Sequence, residues 1–342
     1  MGYRTKKMPI VGCIGVLAVL IGVVAPASGQ DYAFDWVTVG DPGNRHTRPE
    51  EVPRRSSLEI GGVDYEFRLT RQPLRATEYL EFVQAYAPHW EGDPYDIALT
   101  GWTIGAYRDN QGQWQYEVIP GRENYPASLS WEMAARFANW LHNGKADEKA
   151  AFESGAYDTS TFYWDDSYQH QVSHDPGARF WIPTLDEFTK AAYWDPDKNG
   201  GEGGYWLNPD GGDETLIAAL PQDGGETIGD ALGDPNYFLG EWDLGQYPHV
   251  QSPWGLRDVS GSLPSWTEGI YNPHTGARVL GGSAAHDVFY DFYDRIDGLW
   301  AASPTDLTAS FRVATVVPCP GPAIGVALFF AHMILPSRKG KL

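Results

Sequence analysis

Apolar side chains recur at helical spacing in three stretches. In residues 76–87, Tyr79, Phe82, Val83 and Tyr86 fall on one face, which predicts a first helix. A second pattern follows Ser130, a residue type suited to accept from the free N–H groups of a first turn, and places Met133, Phe137, Trp140 and Leu141 together. The third helix opens with Thr184-Leu185-Asp186-Glu187, a reciprocal cap, and continues through Phe188, Ala191 and Ala192. Short runs rich in aromatic or branched residues predict strands over 65–70, 278–280 and 310–316. Residues 91–124, 146–177 and 195–251 show no sustained period and read as loops. Loops of such length inside a compact domain are usually functional or held by ions. No internal repeat or Ser-rich linker divides the chain, so one large domain is expected.

The two ends depart from this pattern. Arg4, Lys6 and Lys7 precede an apolar run from Ile10 to Val24 and then Ala25-Pro26-Ala27, the order of a secretory signal peptide, with cleavage expected between Ala27 and Asp31. The apolar run is shorter than the roughly 20 residues a membrane-crossing helix needs. At the other end, Pro318-Cys319-Pro320-Gly321-Pro322 leads into an apolar stretch from Ala323 to Leu335 and then Arg338, Lys339 and Lys341. That arrangement resembles bacterial C-terminal sorting signals of the PEP type, with Cys319 where Glu is usual and His332 and Pro336 as further departures. Basic residues directly after an apolar segment act as a cytoplasmic anchor. The expected organisation is a signal peptide over 1–30, a folded domain over 31–315 and a sorting or anchor segment over 316–342. The protein is expected to be exported to the cell envelope, the cell surface or beyond, touching the membrane only through the last segment.

Charge and cysteine usage narrow the chemistry. The formal net charge is -20, yet each terminal segment carries three basic residues and no acidic one, leaving 19 Lys and Arg against 45 Asp and Glu in the domain. Such a body excludes nucleic acid and anionic membrane surfaces as natural partners, and suits calcium and carbohydrate. Cys13 and Cys319 are the only cysteines and both lie in the terminal segments. The domain therefore has neither a disulfide framework nor thiolate chemistry.

A series of motifs then occurs in a recognisable order. Phe34-Asp35-Trp36-Val37-Thr38-Val39-Gly40-Asp41 opens the domain, and Tyr65-Glu66-Phe67-Arg68-Leu69 is followed by Thr77-Glu78-Tyr79-Leu80-Glu81-Phe82. Tyr125-Pro126-Ala127 precedes Ser130-Trp131-Glu132-Met133-Ala134-Ala135-Arg136-Phe137, and Ile182-Pro183-Thr184-Leu185-Asp186-Glu187-Phe188-Thr189-Lys190-Ala191-Ala192 follows. Trp254-Gly255-Leu256-Arg257-Asp258-Val259, Arg278-Val279-Leu280-Gly281-Gly282-Ser283 and Phe311-Arg312-Val313-Ala314 close the series. Together these resemble the formylglycine-generating enzyme (sulfatase-modifying factor) family over nearly all of residues 34–315. The resemblance implies an irregular α+β, C-type-lectin-like fold with little regular secondary structure.

Catalytic members of that family oxidise a sulfatase cysteine with a copper(I)-binding cysteine pair just after the Gly-Gly-Ser motif. The matching positions here are His286 and Asp291. Copper(I) is soft and selects thiolates, so no copper and no formylglycine generation are expected. Imidazole and carboxylate suit iron, zinc or manganese instead, with Asp287, Tyr290 and Asp294 nearby. The resemblance also implies calcium at Asn236 and Tyr237, completed by Asp243 or Glu241. A second family calcium motif, Gly-Asn-x-x-Glu-Trp, reads Gly261-Ser262-Leu263-Pro264-Ser265-Trp266 and lacks both its amide and its carboxylate.

Three further fragments invite chemistry. Asp195-Pro196-Asp197-Lys198-Asn199-Gly200 matches half of an EF-hand loop, but Trp206 stands where the closing Glu belongs, so an acidic turn is expected. His170 and His174 are four apart without a supporting helical pattern and read as loop residues. Trp90, Trp102, Trp114 and Trp206 lie in long loops where they suit sugar stacking, although at least half of them are expected to be buried. The sequence is best read as a non-catalytic binding module for carbohydrate or a surface protein, the alternative being a metal-dependent oxidoreductase built on His286 and Asp291.

Overall fold

Strands from opposite ends of the sequence form the first sheet. The computed structural model describes residues 32–162, 170–230, 243–285 and 289–318, all within the unit Gly29–Pro318. β1 (Trp36–Val39) pairs with β2 (Phe67–Thr70), β2 with β11 (Ala314–Val316), and β11 with β5 (Phe180–Trp181), all antiparallel. The strand expected over 310–316 is thus regular only in its last part. Residues 310–313 are extended but divide their bonds: Trp266 donates to the Ser310 carbonyl (2.8 Å), Leu74 to that of Phe311 (2.9 Å) and Thr70 to that of Val313 (3.0 Å). A segment that hands its hydrogen bonds to three partners satisfies its backbone without forming a ladder.

The three expected helices form. α1 (Ala76–Tyr86) and α3 (Trp131–His142) bury the faces their spacing marks out. Ser130 Oγ accepts from Met133 N at 3.1 Å. α5 (Leu185–Tyr193) carries both halves of its cap: Thr184 Oγ1 accepts from Glu187 N (3.0 Å) and Glu187 Oε2 from Thr184 N (2.7 Å). Phe82 is the hub of the helical core, with the rings of Tyr79, Tyr86, Phe137, Trp140 and Phe152 centred 5.4–5.9 Å away. Phe152 belongs to α4 (Lys149–Glu153), a short helix inside a stretch expected to be loop.

The stretch 91–124 is also more regular than expected. After the one-turn α2 (Ile97–Thr100), β3 (Ile104–Arg108) and β4 (Trp114–Val118) form a hairpin in full register from Ile104↔Val118 to Arg108↔Trp114. Its alternation, Trp114-Gln115-Tyr116-Glu117-Val118, is a strand pattern with one half-buried face. Farther on, β6 (Trp194–Asp195) and β7 (Gly204–Tyr205) flank α6 (Lys198–Gly201). A second sheet has the order β10-β9-β8, from β8 (Ser265–Asn272), β9 (Ala277–Gly281) and β10 (Trp300–Ala302), and α7 (Tyr290–Tyr293) lies between the last two in sequence. The whole is an irregular α+β fold with little regular secondary structure.

Buried cations hold the irregular backbone. Lys190, Arg278 and Arg312 are each fully buried. Arg312 donates to the carbonyls of Thr70 (3.3 Å), Arg71 (2.6 Å) and Arg257 (2.5 Å). Arg278 donates to those of Val172 (2.8 Å), Glu268 (2.8 Å) and Gln171 (2.7 Å), and its guanidinium lies 3.7 Å from the centre of the Trp131 ring. Lys190 Nζ donates to Asp41 (2.7 Å) and Val63 (3.3 Å) carbonyls. Burial brings Arg312 down to about 10 and Lys190 down to about 8.

Candidate functional site

The Gly-Gly-Ser turn that leaves β9 is sterically fixed. A Cβ on Gly281 would overlap the Phe188 ring, and one on Gly282, at φ +82°, would overlap the Val259 carbonyl oxygen. Ser283 Oγ accepts from Gly261 N (3.0 Å), and Trp300 Nε1 donates to the Gly282 carbonyl (3.1 Å). The turn itself is therefore held in one conformation. His286 and Asp287 lie outside the described residues. Asp291 is exposed on α7. Tyr290 Oη donates to the Leu216 carbonyl (3.2 Å). Asp294 is buried and accepts from Ser260 Oγ (2.5 Å), which also meets Thr227 Oγ1 (2.6 Å). Asp294 is thus engaged in the interior while Asp291 is exposed.

The calcium expectations divide in the same way. Asn236, Tyr237 and Glu241 lie outside the described residues, and Asp243 is exposed. At the second motif Ser262 and Ser265 are buried, and the Ser262 hydroxyl has no hydrogen-bond partner among the described residues. In the EF-hand-like fragment, Asp195 is already engaged, Oδ1 by Asp197 N (2.9 Å) and Oδ2 by Trp206 Nε1 (3.0 Å). The cation beside that turn is Lys198, 3.6 Å from the centre of the Trp206 ring and 2.7 Å from the Tyr205 carbonyl. Among the described residues, no three His, Cys, Asp or Glu side chains gather as a metal-binding group.

An open polar groove of about 520 Å³ borders this turn, lined by Arg48, Glu50, Glu51, Lys198, Glu202 and Asp213 among others. Its inner groups are engaged internally: Glu51 binds Arg45 through two 2.6 Å contacts and also accepts from Arg48 N and Tyr205 N. These bonds offset burial and hold the Glu51 carboxyl below its ordinary range.

The loop tryptophans are less buried than expected. None of the four is fully buried: Trp90, Trp114 and Trp206 are half-buried and Trp102 is exposed. Trp114 stands on the β3–β4 hairpin with Arg108 Cζ 4.5 Å from its ring centre and the Tyr95 ring 6.0 Å away at 48°. Tyr95 is 61% exposed, Tyr107 46% and Trp102 38%. Asp109 closes the hairpin, accepting from Gln111 N (2.8 Å), Gln113 N (2.9 Å) and Gln115 Nε2 (3.0 Å), bonds that keep its carboxyl below the usual range. Gln84 of α1 fixes the base through the Tyr116 carbonyl (3.2 Å). Aromatic rings exposed on so constrained a support are suited to stacking.

His170 and His174 are loop residues, as expected, but they enter a buried polar network that their spacing did not reveal. His170 lies 3.5 Å from Glu132, yet burial and the guanidinium groups of Arg278 and Arg136 bring it down to about 4, while burial pushes the Glu132 carboxyl up. In that contact the imidazole is neutral above about pH 4. His174 reaches Glu268, whose Oε1 also accepts from Tyr157 Oη at 2.6 Å. Glu187 accepts from Trp181 Nε1 (3.0 Å) and Tyr65 Oη (2.9 Å) beyond its capping bond, with burial as the main cause of its raised pKa.

No family model matches the chain, and no curated protein matches it. Among solved structures it is similar to CarF, at 16% identity and a TM-score of 0.48, over 83% of this chain and 98% of that one. It is similar also to Treponema denticola variable protein 1, at 13% identity and a TM-score of 0.46, over 82% and 95%. A third is PvdO from Pseudomonas aeruginosa, at 16% identity and a TM-score of 0.44, over 82% and 94%.

Proposed function

We propose that this chain is an exported, non-catalytic binding module of the formylglycine-generating enzyme type, and that it recognises carbohydrate through the tip of the β3–β4 hairpin. The observation that carries this reading is exposed Tyr95 beside half-buried Trp114, which stands on a hairpin closed by Asp109 and is braced by Arg108. A sugar ring presents C–H faces to an aromatic ring and hydroxyls to the surrounding amides and carboxylates, here Gln113, Gln115 and Glu117. The acidic body favours a neutral polymer, because an anionic one meets like charge. Export rests on the basic and apolar pattern of residues 1–27. The non-catalytic part rests on His286 and Asp291 standing in place of two thiolates.

Binding to a panel of immobilised glycans tests the proposal. Tyr95→Ala and Trp114→Ala are each expected to weaken binding by roughly 5-fold or more, the loss of about 1 kcal/mol of aromatic contact. No binding across a broad panel, or binding indifferent to both changes, counts against it. Elemental analysis of the purified chain examines the other side. Stoichiometric iron or copper would transfer the reading to an oxidoreductase using His286 and Asp291. Calcium with a chelator-sensitive Tm would fit a module stiffened at Asn236, Tyr237 and Asp243.

A further inference from the structure

Glu268 of β8 is 4% exposed, and its two oxygens are treated differently. Oε1 receives Tyr157 Oη (2.6 Å), the backbone N–H of His174 (2.7 Å) and His174 Nδ1 (3.0 Å). Oε2 is buried and has no hydrogen-bond partner among the described residues. A buried carboxylate with one oxygen unserved depends on nearby positive charge for its balance. Two cationic groups are at hand. Arg278 of β9 directs its Nη donors to the carbonyls of Val172, Gln171 and Glu268 itself. The His174 imidazole is the group that meets the carboxylate directly, stacked 4.7 Å from the Trp181 ring at 20°.

We infer that His174 and Glu268 form a pH-operated latch that holds residues 170–178 against β8 while the imidazole is protonated and loosens them when it loses its proton. The groups facing His174 are the carboxylates of Glu268 on β8, Glu187 on α5 and Asp175 beside it in the chain, with Tyr157, Tyr65 and Arg278 around those. At the other end of the segment His170 faces Glu132 and Arg136 of α3 and also Arg278. Burial opposes a charge on His174, but the Glu268 hydrogen bond and the three carboxylates outweigh it and raise its pKa above 6.5. The contact therefore contributes fully below pH 6.5, and its contribution is lost as pH climbs through the raised value. The neutral ring still donates from Nδ1 in one tautomer, but a charge-assisted bond is roughly twice as strong as a neutral one. Deprotonation thus weakens the contact rather than erasing it, and Arg278 keeps Gln171 and Val172 tethered throughout.

The test is amide hydrogen exchange on the full chain between about pH 5 and 9, with intrinsic rates divided out, beside an NMR titration of His174. His174 is expected to titrate above 6.5, and amide protection at His174 and Asp175 to fall with the same midpoint while α3 is unmoved. Each unit by which His174 exceeds 6.5 corresponds to a drop of up to ~10-fold in protection. In H174Q the step should vanish, and in E268Q His174 should titrate below 6.5. A wild-type His174 titrating at or below 6.5 overturns the inference, as does a step that survives in H174Q. Should E268Q fail to fold, the wild-type titration and H174Q decide the matter alone.

Discussion

Around Phe82 the chain is ordered by area: six aromatic rings from α1, α3 and α4 interlock, and any one of them shares its surroundings with the others. Around Arg312 it is ordered by single donors, because two distant segments, Thr70-Arg71 at the end of β2 and the loop at Arg257, surrender three carbonyls to one guanidinium. Apolar packing is non-directional and degrades gradually, whereas a buried donor that serves three acceptors fails all at once. The difference teaches where this fold tolerates change. Its helical half can be repacked, while its loop half depends on a few residues that no neighbour can replace.

Replacing those residues tests the contrast most severely. Arg312→Met should lower stability by about 3–5 kcal/mol in urea unfolding, since it takes a buried charged donor from three carbonyls, of which that of Arg71 keeps the N–H of Arg257. Phe82→Leu, a comparable loss of special geometry in the helical half, should cost about 1.5 kcal/mol or less because neighbouring rings can settle into the space. Equal costs for the two would break the comparison. Thr184→Ala removes a cap from α5, and about 1 kcal/mol of lost stability is expected from the same measurement. A further effect lies in acid. His170 is held neutral down to about 4, so its contribution is complete above pH 6.5 and is lost as pH falls through that lower value. Melting curves of His170→Asn should show a shallower decline over that window than the wild type.

Local chemistry was the legible part of this chain. The Ser130 and Thr184 caps depend on residues three apart, and their structural form agrees with the sequence pattern. The β3–β4 hairpin was also written in the chain, in the alternation from Trp114 to Val118 and the Asp109 turn, but the short period was lost in a stretch, 91–124, read as loop. What could not be read are contacts between residues far apart: Arg312 meets Arg257 across 55 positions and Thr70 across 242. No period or propensity encodes such a pairing. The Glu268 network is of the same kind, since His174 and Tyr157 reach it from 94 and 111 positions away.

The buried arginines also set how this protein responds to its surroundings. A loop tied by a disulfide is released by a reductant, one tied by calcium by a chelator, and one tied by surface ion pairs by salt. Arg278 and Arg312 bind backbone carbonyls inside the molecule, where none of these agents acts. Arg312 keeps its charge to about pH 10 even after burial. In surroundings where redox state, metal supply and ionic strength vary, such tethers give way only when the surrounding structure itself opens.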